Sequence, residues 1–250
     1  MAVSIKSARE IELMREAGKR LAHVHQELEA MIAPGISTWE IDAKGEKLIR
    51  DCGCIPNFLH YNGYPASICV SVNDEVVHGI PRKDRYLKEG DIVSLDAGLI
   101  YKGYHSDAAR THAVGKVSTE AQKLMDVTKQ SFFEGIKMAK EGQHLHDISR
   151  AIEEYVTPYG YGIVRDLVGH GIGTALHEDP QIPNYAQKRR GVRLQAGMTL
   201  AIEPMINAGT WQVRFLRDGW TVVTKDGSLS AHYENTILVT DGEPDILTFY

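Results

Sequence analysis

Four carboxylates and one imidazole carry the chemistry of this 250-residue chain: Asp96, Asp107, His170, Glu203 and Glu234. Asp96 and Asp107 lie 11 residues apart with Gly98 and Gly103 between them, which fits the two strands of a hairpin presenting both acids to one point. Four carboxylates crowded together without counter-ions repel one another and cannot all stay ionised. Two divalent cations would balance the four negative charges, so the set makes electrical sense as a metal site. An oxygen-rich set with a single imidazole suits Mn, Fe(II), Co or Zn better than a thiolate-seeking metal. Paired ions of this kind lower the pKa of a shared water and generate hydroxide near neutral pH. Any one of these acids alone would be read as a turn residue or a solvated edge.

The set is credible because the chain presents it twice. Leu87 to Asp96 (LKEGDIVSLD) aligns with Leu194 to Glu203 (LQAGMTLAIE), 107 residues on, each a Gly turn leading into an apolar strand that ends on a carboxylate. Upstream, Gly35 to Ile41 matches Gly142 to Ile148 at the same offset, and downstream His105-Ser106-Asp107 echoes His232-Tyr233-Glu234. A repeat this long describes two related halves, since a solenoid unit would recur several times at a shorter period. Matched carboxylates in the two halves imply one shared centre. His170 sits in Gly169-His170-Gly171-Ile172-Gly173, where a glycine-rich turn would let the backbone approach a ligand closely. The segment lacks both the GxGxxG spacing and a P-loop lysine, so a nucleotide role is unsupported.

The elements that must position these residues fall into the same order in each half. Ser7-x-x-Glu10 predicts a capped helix through Ile11, Met14, Leu21, Val24, Leu28 and Met31, stopped by Pro34-Gly35. Ser37-x-x-Glu40 opens a second helix that ends near Gly53. In the second half Thr119-x-x-Gln122 opens a helix through Leu124, Val127, Phe132 and Ile136, and a further helix runs from Ile148 to Tyr155 before Pro158. Strands are predicted at Ile68–Val72, Ile92–Ala97, Ala108–Val114, Ile163–Val168, Met198–Ile202, Trp220–Val223 and Thr236–Val239. Helices followed by strands within each half read as α+β with a mixed or antiparallel sheet. The expected organisation is one catalytic domain over 1–250, with pseudo-symmetric halves of approximately 1–115 and 116–250 that must fold as a unit for their acids to meet.

Bulk properties exclude several function classes. A formal charge of -5 with 24% charged residues gives no nucleic-acid footprint. The first twenty residues are charged throughout, unlike a signal peptide, and no apolar run approaches a bilayer span. Cys52, Cys54 and Cys69 support neither a disulfide framework nor a zinc finger, and read as reduced thiols in a cytoplasmic protein. His105 and His112 flank Asp107 and read as structural. His23 and His25 have no partner pattern in the first helix, and His144 and His146 begin a helix and should face solvent.

His78-Gly79-Ile80-Pro81, Asp96, Asp107, the Gly169–Gly173 segment with His177-Glu178, Ile202-Glu203-Pro204 and Glu234-Asn235-Thr236 together resemble the type I methionine aminopeptidases, from about Ile5 to Val239. The resemblance implies the pita-bread fold and removal of the initiator Met from nascent polypeptides whose second residue is small. It implies two divalent ions (Co, Mn, Fe(II) or Zn), with Asp107 and Glu234 bridging them, Asp96 chelating one, and His170 with Glu203 holding the other. It further implies attack by a bridging hydroxide with Glu203 as proton shuttle. His177 is expected at the scissile carbonyl and His78 near the leaving nitrogen. The Met pocket carries over to Phe58, Tyr61, Tyr64, Cys69, Leu176 and Trp220. Phe58 and Leu176 depart from common residues of the pattern but keep the wall apolar.

Only 33 residues separate His170 from Glu203, which leaves no room for the helical insertion that marks type II enzymes. Prolidase and aminopeptidase P share the fold but resemble longer chains with an extra N-terminal domain, whereas here the first half-repeat starts almost at residue 1. No N-terminal Cys/His module of the eukaryotic type I kind is seen, so the chain resembles bacterial members. Two other readings are weighed against this one. A Pro-directed peptidase is disfavoured by length and by the aromatic-plus-Cys pocket. A non-catalytic pita-bread binding module predicts lost ligands, and all five are present. A monomer acting in the cytoplasm, without membrane or specific nucleic-acid contacts, is expected. Lys188-Arg189-Arg190 offers a basic run to ribosomal RNA, but a solvated turn is the simpler reading.

Overall fold

Two capping boxes start the first half where the sequence places them. In each, a Ser hydroxyl accepts from the backbone of a Glu whose carboxylate reaches back to the Ser N–H, at Ser7/Glu10 for α1 (Ala8–Glu29) and at Ser37/Glu40 for α2 (Thr38–Asp51). The second half supplies α3 (Thr119–Ile136) and α4 (Leu145–Val156). Here the cap differs from expectation. Ser118, in extended backbone, accepts from Ala121 N, and Thr119 is already inside the helix. The computed structural model describes residues 3–249, so Met1, Ala2 and Tyr250 of the expected 1–250 domain lie outside the described residues.

Each helix pair covers a sheet. Leu21, Val24 and Leu28 of α1 with Ile41 and Ile49 of α2 are buried against Val70, Leu95 and Leu99. Leu124 and Phe132 of α3 with Ile148 and Ile152 of α4 are buried against Leu200, Ile202 and Ile237. Each such Leu or Ile stabilises the fold by roughly 1.5–3 kcal/mol relative to exposure. In the first half Ile92–Tyr101 and Tyr104–Ala113 form the long hairpin, joined to Ile68–Val72 and Ile55–Pro56. Lys102 (φ 49°) and Gly103 (φ 85°) make its two-residue turn, and two left-handed residues match the twist of the strands they join. In the second half a five-stranded sheet runs in the order Asp245–Ile246, Asn235–Leu238, Thr199–Ile202, Gly169–Gly171, Glu178–Ile182. Two three-stranded sheets complete the set, and every pairing between named strands among the described residues is antiparallel. The halves meet where Glu234 N donates to Ala109 O at 2.9 Å and the Thr236 hydroxyl bonds both backbone groups of Asp107.

Three local expectations are corrected. The hairpin strands extend further than apolar patterning implied, since the first runs past Asp96 to Tyr101 and the second begins at Tyr104, with polar residues continuing the ladder. Of the Ile163–Val168 run only Ile163, with Gly162 before it, is strand, and pairing ends with Val164 N on Met205 O, because Arg165 and Asp166 turn outward to solvent. The Trp220–Val223 strand is instead Val222–Thr224, since Asp218 accepts from the N–H groups of both Trp220 and Thr221 in a turn. No helix among the described residues is long and apolar enough to cross a membrane.

Candidate metal centre

Strand register brings the two aspartates together. Asp107 pairs with Gly98, and Asp96 pairs with Ala109 two residues further along the same face, so the two acids are diagonal neighbours. The second half delivers the rest. Glu203 stands where the strand Thr199–Ile202 ends, and Glu234 precedes its antiparallel partner Asn235–Leu238.

His170 lies between them, and its setting corrects the sequence reading. Gly169–Gly171 is a short strand rather than a turn, with His170 opposite both Ala201 and Gln181. The flanking glycines serve close approach: a Cβ at Gly169 would stand 2.4 Å from Ala201 O, and one at Gly171 would stand 2.3 Å from Asp179 O.

The five side chains line one cavity of about 270 Å³ together with the expected substrate residues. Asp107, His170 and Glu234 bring donor atoms within 4.8 Å of one another. His170 Nε2 lies 3.6 Å from Glu203 Oε1 and 4.0 Å from Asp107 Oδ2. These are not ion pairs. Burial, with His177 adding to it, pushes the His170 imidazole down to about 4, so the ring is neutral and free to act as a ligand. Burial also drives the carboxyls upward: Asp96 rises to about 7, while Asp107, Glu203 and Glu234 rise well above the usual range as neighbouring acids add to desolvation. Asp96 Oδ1, Asp107 Oδ1 and Glu234 Oε1 are buried without a hydrogen-bond partner among the described residues. Orphaned buried acceptors are costly unless a cation meets them. The residues therefore fit a hard divalent cation.

Linkage gives this fit a measurable sign. A carboxyl whose pKa is higher folded than unfolded stabilises fully below the unfolded value and loses that contribution as pH rises through the folded one. For Asp96 the window runs from its ordinary 3.8 to about 7. Chelator-treated protein should lose Tm as pH rises through this window, and the gap to Mn-loaded protein should widen, because the ion binds the ionised form. Thermal scans across the window test this, and a gap that narrows with pH would show that ionised carboxylates do not hold the ion.

The apolar side of the cavity adjoins the acidic side by register, since Cys69 is the cross-strand partner of Asp96. Phe58, Tyr64, Cys69 and Leu176 are buried there, and Tyr61 and Trp220 stand at the rim. Tyr64 meets Trp220 edge-to-face at 5.2 Å, and burial keeps the Cys69 thiol protonated and apolar. His78 (φ 57°) holds a left-handed backbone, a strained state common at functional sites, and burial lowers its imidazole to about 4. The His177 ring lies tilted against that of His170, centroids 4.3 Å apart, and its Nδ1 is 2.8 Å from the Tyr61 hydroxyl.

Sequence reasoning missed His232. It is 1% exposed, its Nε2 lies 3.7 Å from Glu203 Oε2, and neither ring nitrogen has a hydrogen-bond partner among the described residues. The signal was there in the repeat, where His232 stands two residues before Glu234. Neither His232 nor its counterpart His105 lines the cavity itself. His144 and His146 also depart from expectation. Both are half-buried, and they hold the 189–191 backbone through Gly191 O and Arg189 O, while Arg190 pairs with Asp147 at 2.6 Å.

A pita-bread fold with a buried carboxylate–imidazole cluster beside an apolar slot defines a metal-dependent peptidase. The sequence profile of metallopeptidase family M24 matches residues 12–241, and the chain belongs to that family. It is 53% identical over 246 residues to the methionine aminopeptidase of Clostridium acetobutylicum, covering 98% of both chains. The solved methionine aminopeptidase of Thermotoga maritima superposes with a TM-score of 0.97 at 46% identity, covering 100% of both chains. The Xaa-Pro dipeptidase of Bacillus anthracis superposes less well, with a TM-score of 0.79 at 26% identity; 98% of this chain matches only 61% of that one. The protein is an enzyme.

Proposed function

We propose that this enzyme removes the N-terminal methionine of nascent polypeptides whose second residue is small, working as a cytoplasmic monomer. The observation that carries the reading is the shared cavity: a slot walled by Phe58, Tyr61, Tyr64, Cys69, Leu176 and Trp220 opens directly onto Asp96, Asp107, His170, Glu203 and Glu234. An unbranched, polarizable thioether fits such a wall, and the relatives' printed activity agrees. The two halves of 1–250 act as one catalytic unit in this reading, since each contributes acids to the cluster. Lys188-Arg189-Arg190 is the candidate contact to the ribosome, with Arg190 already committed to Asp147.

Two divalent ions are proposed, which Asp96, Asp107, His170, Glu203 and Glu234 would hold between them. Bound there, they supply Lewis acidity and lower the pKa of water. The chain's residues do the rest. Tyr61 occupies His177 Nδ1, which leaves Nε2 to meet the scissile carbonyl. His78, neutral at physiological pH, faces the departing nitrogen. Glu203 carries the proton from the attacking water to the leaving amine.

Substrate competition tests the assignment. Met-Ala-Ser should be cleaved well and Leu-Ala-Ser about 10–200-fold less efficiently, the range for misfit in an apolar slot. Met-Lys-Ser should be refused because its second side chain meets the crowded cluster. Faster cleavage of an Ala-Pro peptide than of Met-Ala-Ser would establish Pro-directed activity instead.

A further inference from the structure

His177 lies in the stretch 173–177, which has no regular secondary structure; the pairing of Gly171 with Glu178 closes the ends of this loop but leaves its tip outside the ladder. The Glu178 side chain adds the hold that the ladder lacks. Its Oε1 accepts from Ala175 N at 3.2 Å and from the Thr174 hydroxyl at 3.4 Å, closing the loop on itself. Its Oε2 reaches back to the start of the chain, accepting from Lys6 Nζ at 2.6 Å and from the Ser4 hydroxyl at 2.8 Å. Lys6 also donates to Ser4. The Lys6 and Glu178 side chains are 5% and 16% exposed, so the pair is shielded as surface pairs are not. Although burial opposes it, the contacts with Lys6 and Ser4 hold the Glu178 carboxyl below its usual range.

The anchor is itself fixed. Lys6 N donates to Gly197 O at 2.8 Å, in the turn that leads into the strand Thr199–Ile202, which Glu203 follows. The Lys6 ammonium also lies over Gly173, where a Cβ would come within 2.7 Å of it. From the far side of the cavity Tyr61 holds His177 Nδ1 at 2.8 Å. The loop is thus gripped at its base by the N-terminal segment and at its tip by Tyr61.

We propose that Lys6, acting through Glu178, is a positioning residue for His177: the N-terminal segment clamps the loop that carries this histidine to the frame that carries Glu203. The proposal rests on the reading of His177 as a group that touches substrate. A side chain on a loop must be held to a fraction of an ångström to be effective, and a misplacement of about 1 Å can cost about 10²-fold in rate.

The test is a double-mutant cycle on the metal-loaded enzyme with Met-Ala-Ser as substrate, with metal content and Tm measured for each variant. Lys6→Met keeps the alkyl stem and removes the charge, and Glu178→Gln keeps an oxygen for the loop donors while breaking the same ion pair. Each should lower kcat about 10-fold with little change in KM, Lys6→Arg should retain most of the rate, and all should keep their metal. In a His177→Ala background neither should lower the rate further. Equal losses with and without His177 would show a general structural role and overturn the proposal, as would wild-type rates in both single variants. If His177→Ala itself keeps full activity, the reading of His177 fails first, and the clamp has nothing to position. Should Lys6→Met prove unfolded by its Tm, Glu178→Gln decides the outcome by the same comparison.

Discussion

Replacing Glu203 with Gln should leave substrate affinity nearly unchanged and lower kcat about 10²–10⁴-fold, the range for a positioned general base. In the proposed arrangement Asp107, Glu234 and Asp96 would be committed to holding cations, which would depress their basicity. Glu203 is placed differently. Its Oε1 faces His170 Nε2 at 3.6 Å, and its Oε2 lies on the side of His232. One oxygen can serve as a ligand while the other handles a proton. Gln keeps the shape and a carbonyl oxygen but removes the basic site. If Glu203 were only a ligand, the loss would be one of metal affinity, and titration with excess Mn would restore the variant. Recovery to near wild-type rates would therefore rule out the proton-carrier role. A lowered kcat that stays low at saturating metal would support it.

Asp107→Ala is expected to be more damaging still, abolishing both metal retention and measurable turnover. Asp107 is 4% exposed at the centre of the cluster, with donor atoms of His170 and Glu234 within 4.8 Å of its own. Its backbone N–H and carbonyl are both bonded to the Thr236 hydroxyl, which fixes where its carboxylate enters the cluster. His105→Ala, two residues away on the same strand, is the control. That ring does not line the cavity, and the variant should keep its metal and most of its activity. Elemental analysis of both proteins purified without added metal separates the cases. Near-normal turnover by the Asp107 variant would remove the assignment of the cluster.

The register of the hairpin couples specificity to chemistry. Cys69, Asp96 and Ala109 lie side by side across three strands, so the slot wall and the acidic cluster are parts of one rigid sheet. In the proposed reading, a substrate side chain seated against Cys69 would hold its peptide bond at a fixed distance from the acids. This is the arrangement in which binding energy is used for positioning.

The sequence by itself determined the capping boxes, the two-fold repetition and the five clustered residues, because each is written in local spacing or in self-similarity that needs no knowledge of distant contacts. The helix pairs followed from 3.6-residue periodicity, and the hairpin followed from the glycines between Asp96 and Asp107. What the tertiary structure alone decided lies in contacts between segments far apart in the chain. The glycines around His170 looked like a turn, and only the approach of Ala201 and Asp179 made them a strand. Strand ends at Tyr101 and Tyr104 were hidden because polar residues extend a ladder once a partner strand is present. His232 could not be tied to Glu203, nor Lys6 to Glu178, because local periodicity carries no information about packing across the fold. Side-chain pairs of this kind, 172 residues apart for Lys6 and Glu178, are fixed by the closing of the two halves on each other.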